Sequence, residues 1–151
     1  MDFPLQSALM QALTEPESWD KGLVKLYEAL ANDFVYASPK DLLVFGDNHD
    51  MDRVFTSLKK DPELMQMAMS YLLTIRGIPQ LYYGTEILME NSAKPGDHGL
   101  IRSDFPGGWK EDTMNGFTGA GLTASQLNQQ SYLRKLLNWR KNKTVIHVGK
   151  T

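Results

Sequence analysis

The sequence predicts an α/β fold in which short parallel strands are covered by outer helices. Three observations lead there. Two apolar runs, "DLLVFG" (41–46) and "IPQLYYG" (78–84), each close on glycine and have the length of buried strands rather than helices. Residues 61–77 between them carry the punctuation of a helix. Helical patterns also precede the first run and follow the second, and such alternation implies a parallel sheet with right-handed crossovers.

At the amino end, Asp2-Phe3-Pro4 reads as the exit of a strand. Leu5, Ala8, Leu9 and Ala12 then follow helical spacing until Pro16 interrupts. A second helix is expected with Leu23, Leu26, Tyr27 and Leu30 on one face. After the first apolar run, "MDRVFTSLKK" (51–60) suits a short helix. Asp61-Pro62-Glu63 is a helix start, with a capping side chain, proline in the first turn and an early acid. The apolar segment "LMQMAMSYLLTIRG" follows and stops at Gly77, and its methionines are expected in the core. Residues 90–121 show no period, and a loop of that length in a compact domain is usually functional or disordered. Residues 123–143 read as a helix, with Thr123 and Gln126 forming a capping box and Leu127, Leu133, Leu136 and Leu137 an apolar stripe. "TVIHVG" (144–149) is expected to begin another strand. The chain therefore divides into a main unit, 1–143, and a segment, 144–151, that starts a linker or a C-terminal β-domain.

The 151 residues suffice for one domain with a core. A net charge of −2 offers no polyanion-binding surface, so nucleic acid is not an expected partner. No apolar stretch reaches membrane-spanning length, and the first residues lack the basic region and cleavage site of a signal peptide. Cysteine is absent, which excludes disulfides and thiolate metal sites.

The chemistry concentrates at the end of the first predicted strand, where "LLVFG" runs into Asp47-Asn48-His49-Asp50. In parallel α/β folds, function collects at the carboxyl ends of strands. Asp and Asn also cap helices, so one such residue alone would mean little. Four together admit two chemistries. Asp47, His49, Asp50 and the distant His98 could hold a divalent metal, although nothing beyond the one cluster has ligand spacing. Alternatively, Asn, His and Asp can grip neighbouring hydroxyls of a sugar ring. Hydrogen bonds near O2 strengthen in the oxocarbenium-like state of glycoside cleavage.

"FGDNHD" (45–50) resembles the F-x-x-N-H-D motif after the seventh barrel strand of the α-amylase family of glycoside hydrolases, and "GIPQLYYGTEILM" (77–89) resembles that family's eighth-strand segment. "RSDFPGGW" (102–109) is similar to the following loop in neopullulanase and cyclomaltodextrinase members, and "MDFPL" fits the end of strand six in the same group. Thr85 stands where the wider family often has Asp, which points to the same branch. The resemblance implies a partial (β/α)8 TIM barrel, from the strand-six exit through helix eight. It implies that Asp50 is the transition-state-stabilising carboxylate and that His49 binds the same sugar. Asn48 would orient the turn beside the sugar, and Arg53, Arg102 and Trp109 would contact glucose units of the substrate. Tyr83 is expected to pack, Glu86 to anchor a loop, and Lys94, Asp97 and His98 to be solvent-exposed.

A retaining glycosidase needs a nucleophile and an acid/base about 5 to 5.5 Å apart. The family takes both from strands four and five, and neither motif occurs in this sequence. Glu15 and Glu17, ahead of Trp19, do not substitute for them. The expectation is a fragment of an α-glucan hydrolase acting on α-1,4/α-1,6-glucan oligosaccharides, inactive alone. The alternative is a non-catalytic partial barrel that binds glucan or self-assembles through exposed strand edges. No cofactor is expected; calcium occurs in the family, but no carboxylate cage is visible here. The compartment, periplasm or cytoplasm of a bacterium, is left open.

Overall fold

The structure is a computed structural model and describes residues 1–149. Helix α1 (Phe3–Thr14) starts because the Asp2 carboxylate accepts the Leu5 N–H at 3.0 Å and Pro4 occupies the first turn. That cap narrows the strand-exit reading of residues 2–4 to Asp2. Phe3 and Pro4 are already helical, and the one ladder-like bond is Asp2 N–H to Leu43 O at 2.8 Å. Helix α2 (Val24–Ala31) buries only Leu26 of its expected stripe; Leu23 and Tyr27 are exposed. Two short 3-10 turns (Asn32–Val35 and Pro39–Asp41) lead into strand β1 (Leu43–Phe45).

After the turn at 47–50 come a one-turn helix, α3 (Val54–Ser57), and then α4 (Pro62–Thr74), whose cap Asp61 accepts from the Glu63 and Leu64 N–H groups. The methionine reading holds for Met65 and Met69, which lie in the core with Leu72, Leu73, Leu5, Leu9, Val44 and Leu133, but not for Met67, which is 48 % exposed. Gly77 has φ of +98°, and a β-carbon there would sit 2.8 Å from Leu42 O, so only glycine lets the chain pass beside β1.

Strand β2 (Ile78–Gln80) pairs with β1 in parallel, with Leu43 opposite Ile78 and Phe45 opposite Gln80. The expectation of two fully buried strands is corrected for β2: Ile78 is 51 % exposed, while Val44 and Phe45 are buried. Both strands are edges of a two-stranded sheet, and among the described residues no strand covers the far edge of β2.

The aperiodic segment 90–121 is ordered by local side-chain caps. Asp97 caps α5 (His98–Ile101), Asp112 accepts the Gly107 and Trp109 N–H groups, and Asn115 accepts those of Phe117 and Thr118. Helix α6 (Ala124–Lys141) carries the expected capping box and packs on α4. Residues Thr144–Val148 form a short helix, α7, and not the expected strand. Ile146 N–H donates to Lys143 O and Gly149 N–H to Val145 O, so local turn bonds hold this segment and it does not pair with the open edge of β2.

Candidate active site

Asp47 and Asn48 shape the turn after β1, and His49 and Asp50 project from it. Asp47 is 2 % exposed, and its Oδ2 accepts the Val54 N–H at 2.6 Å, which fixes the start of α3. Burial pushes its carboxyl up to about 6, against the opposing pull of the Val54 N–H and of Arg53. Asn48 is also buried, and its Oδ1 accepts the Asp50 N–H at 2.8 Å. Its amide oxygen is thereby committed to the turn, as an orienting residue requires.

The side chains of His49 and Asp50 are nearly two-thirds exposed, with Nε2 of His49 3.2 Å from Oδ2 of Asp50. Arg102, at the end of α5, braces them. Its Nη2 donates to Asp50 Oδ1 at 2.8 Å and its Nε to the His49 carbonyl at 2.9 Å. His98 Nδ1 lies 3.0 Å from the same Nη2. The cluster thus presents an imidazole and a carboxylate side by side, held by a guanidinium. Such a set can donate to one sugar oxygen and accept from neighbouring hydroxyls. The 90–121 segment brings Arg102 and His98 to the turn across more than 45 positions of sequence. His98, expected to be merely exposed, joins the site, and its i, i+4 spacing from Arg102 on α5 was the available signal.

Arg53 is the main correction among the candidate residues. It is 1 % exposed. Its Nε donates to Ile101 O at 3.0 Å, Nη1 donates to Tyr83 O, and its guanidinium lies over the rings of Tyr82 (4.3 Å) and Tyr83 (4.6 Å). A side chain so enclosed presents no surface to a glucan. It ties the turn to the segment after β2 and to α5. Asn91, which the sequence did not single out, does related work. It is buried, its Oδ1 accepts the Arg53 N–H at 3.0 Å, and its Nδ2 donates to Asp52 at 2.6 Å.

Trp109 is 65 % exposed, and its indole N–H donates to Asp104 at 3.0 Å, so its polar partner lies in its own loop. Phe117 is exposed and stacks edge-on against Phe105. Tyr83, expected to pack, is 38 % exposed, with its ring against Tyr82 and Arg53 and its hydroxyl donating to Ser103 O at 2.8 Å, and Glu86 lies half-buried in the 3-10 turn Thr85–Ile87. Among the described residues, no three His, Asp or Glu side chains converge as a metal ion requires, so the metal alternative finds no geometry. No described helix is long and apolar enough to cross a membrane.

Parallel strands, outer helices and a polar turn at a strand's carboxyl end define an α/β architecture with its polar cluster where such folds place their sites. The family model of the α-amylase catalytic domain matches residues 1–147, and the chain belongs to that family of (β/α)8-barrel glycoside hydrolases. A cyclomaltodextrin glucanotransferase of Bacillus licheniformis is 36 % identical over 103 residues, covering 68 % of this chain and 14 % of that protein. The α-amylase of Geobacillus thermoleovorans, solved with acarbose, superposes with a TM-score of 0.71 at 28 % identity, over 98 % of this chain and 29 % of that one. A cyclomaltodextrin glucanotransferase with a three-domain ABC distribution superposes with a TM-score of 0.74 at 25 % identity, over 99 % of this chain and 27 % of that one. The chain therefore spans a small part of each relative's length. These relatives bear out the family, whereas the narrower placement beside neopullulanase and cyclomaltodextrinase is not shown by them.

Proposed function

We propose that these residues form the carboxyl-terminal part of the catalytic barrel of an enzyme acting on α-glucan oligosaccharides. In this reading His49 and Asp50 hold the sugar at the cleavage subsite. The observation that carries it is the exposed His49–Asp50 pair immediately after β1, braced by Arg102. Asp50 would strengthen its hydrogen bonds to the ring hydroxyls as positive charge develops at the anomeric carbon, and His49 would donate to a neighbouring oxygen. Bond cleavage itself needs a nucleophile and an acid/base, and neither of the family's motifs for them occurs in the sequence. The reading therefore has the chain inactive by itself. Arg102 is a positioning residue for Asp50, and Trp109 offers an exposed ring for stacking on glucose. A reducing-sugar assay of the purified chain on maltoheptaose and pullulan tests this: no turnover is expected. Turnover abolished by Asp50→Asn would show that the chain contains its own catalytic pair.

A second reading, a partial barrel that self-assembles, is favoured by one observation. Strand β2 leaves Ile78 exposed and its far edge without a paired strand among the described residues.

A further inference from the structure

We propose that the cavity between the start of β2, the last turn of α6 and helix α7 is a binding site for a small oxyanion, a phosphate or carboxylate group. The cavity measures about 310 Å³, and its lining carries Lys40, Arg76, Arg140 and His147 but no acidic side chain. It opens at the amino end of β2. Because β1 and β2 are parallel, that is the opposite end of the sheet from the 47–50 turn. The site is thus separate from the candidate active site and independent of the proposed function.

The two arginines differ in how their charge is met. Arg76 is more than neutralised, because its one guanidinium meets two carboxylates, Asp2 at 2.7 Å and Asp33, and it offers no charge to an anion. Burial alone would lower its pKa, and the hydrogen bonds to these two carboxylates reverse that. Arg140 is 8 % exposed, and no carboxylate among the described residues pairs with it. Its Nη1 donates to Leu73 O at 2.6 Å and its Nη2 reaches Gly77 O at 3.4 Å. These carbonyls, at and just beyond the end of α4, accept from the guanidinium but leave its positive charge in place. Burial accordingly disfavours the charged form of Arg140. Lys40 is exposed at the rim, with a flexible stem and a compact charge. His147 Nε2 lies 3.1 Å from Arg140 O and brings α7 to the same corner. An anion entering here would meet the guanidinium and the ammonium together, the pairing that gives strong charge-assisted hydrogen bonds.

The test is a titration of the 151-residue chain with inorganic phosphate at constant ionic strength, with chloride as control, followed by backbone amide NMR shifts. Saturable shifts centred on Gly77, Ile146 and Gly149 are expected. Affinity should fall at least tenfold in Lys40→Gln and in His147→Gln, both exposed positions whose replacement leaves the core intact. Competition by acetate would assign the occupant as a carboxylate, and its failure to compete would assign a phosphate. Shifts that do not saturate, that chloride reproduces, or that both variants leave unchanged would overturn the site.

Discussion

Asp47 and Asp50 are three positions apart and live in opposite environments. Asp47 is buried, so its carboxyl titrates near 6 instead of the ordinary 3.8. Between those values the folded chain holds a proton that the unfolded chain has released. The stability contributed by this group is therefore present below about pH 4 and is lost as pH rises to about 6. Thermal melts of the wild type and Asp47→Asn should diverge across that window, with the slope removed in the variant; parallel curves would contradict it. Asp50 is exposed and held by Arg102, so Arg102→Ala should loosen the His49–Asp50 pair with little change in melting temperature. Arg53 behaves differently because it is enclosed. Arg53→Met would strand the carbonyls of Tyr83 and Ile101 and should cost on the order of 3 kcal/mol in denaturant unfolding. The sequence displayed Asp47 to Asp50 as a cluster, and motif resemblance picked out His49 and Asp50. It could not separate the buried Arg53 from the exposed Arg102, since each has one polar and one apolar neighbour and their surroundings come from segments some 30 to 50 positions away.

Local punctuation made the helices readable. Asp61-Pro62-Glu63 and Thr123 with Gln126 are short-range hydrogen-bond patterns, and the structure reproduces both. Thr123→Ala should cost about 1 kcal/mol by removing the cap, and Leu72→Ala about 2–5 kcal/mol by opening a cavity in the core; chemical denaturation measures both. What failed at this scale failed where long-range pairing decides. Residues 144–148 carry enough β-branched character to pass for a strand, and Phe3 and Pro4 could pass for a strand end, but the Asp2 cap and the local bonds of α7 make both segments helical. The 90–121 segment had no period to read, because Asp97, Asp112 and Asn115 order it one turn at a time.

At the scale of the whole molecule, the parallel arrangement was legible from the alternation of elements, and the family from two motifs in the right order. The exposure of β2 was not, because a strand's own residues do not say whether its partner lies in the same stretch of chain. Light scattering at micromolar concentration should therefore show association of the isolated chain, reduced by Ile78→Lys; a monomer at all concentrations would remove the self-assembling reading. The central claim is that His49 and Asp50 hold a glucose unit, and calorimetric titration of the chain with maltoheptaose tests it most directly. The account predicts weak saturable binding that His49→Ala and Asp50→Ala each abolish while the fold persists. Binding indifferent to both substitutions, or none from the folded chain, would contradict it.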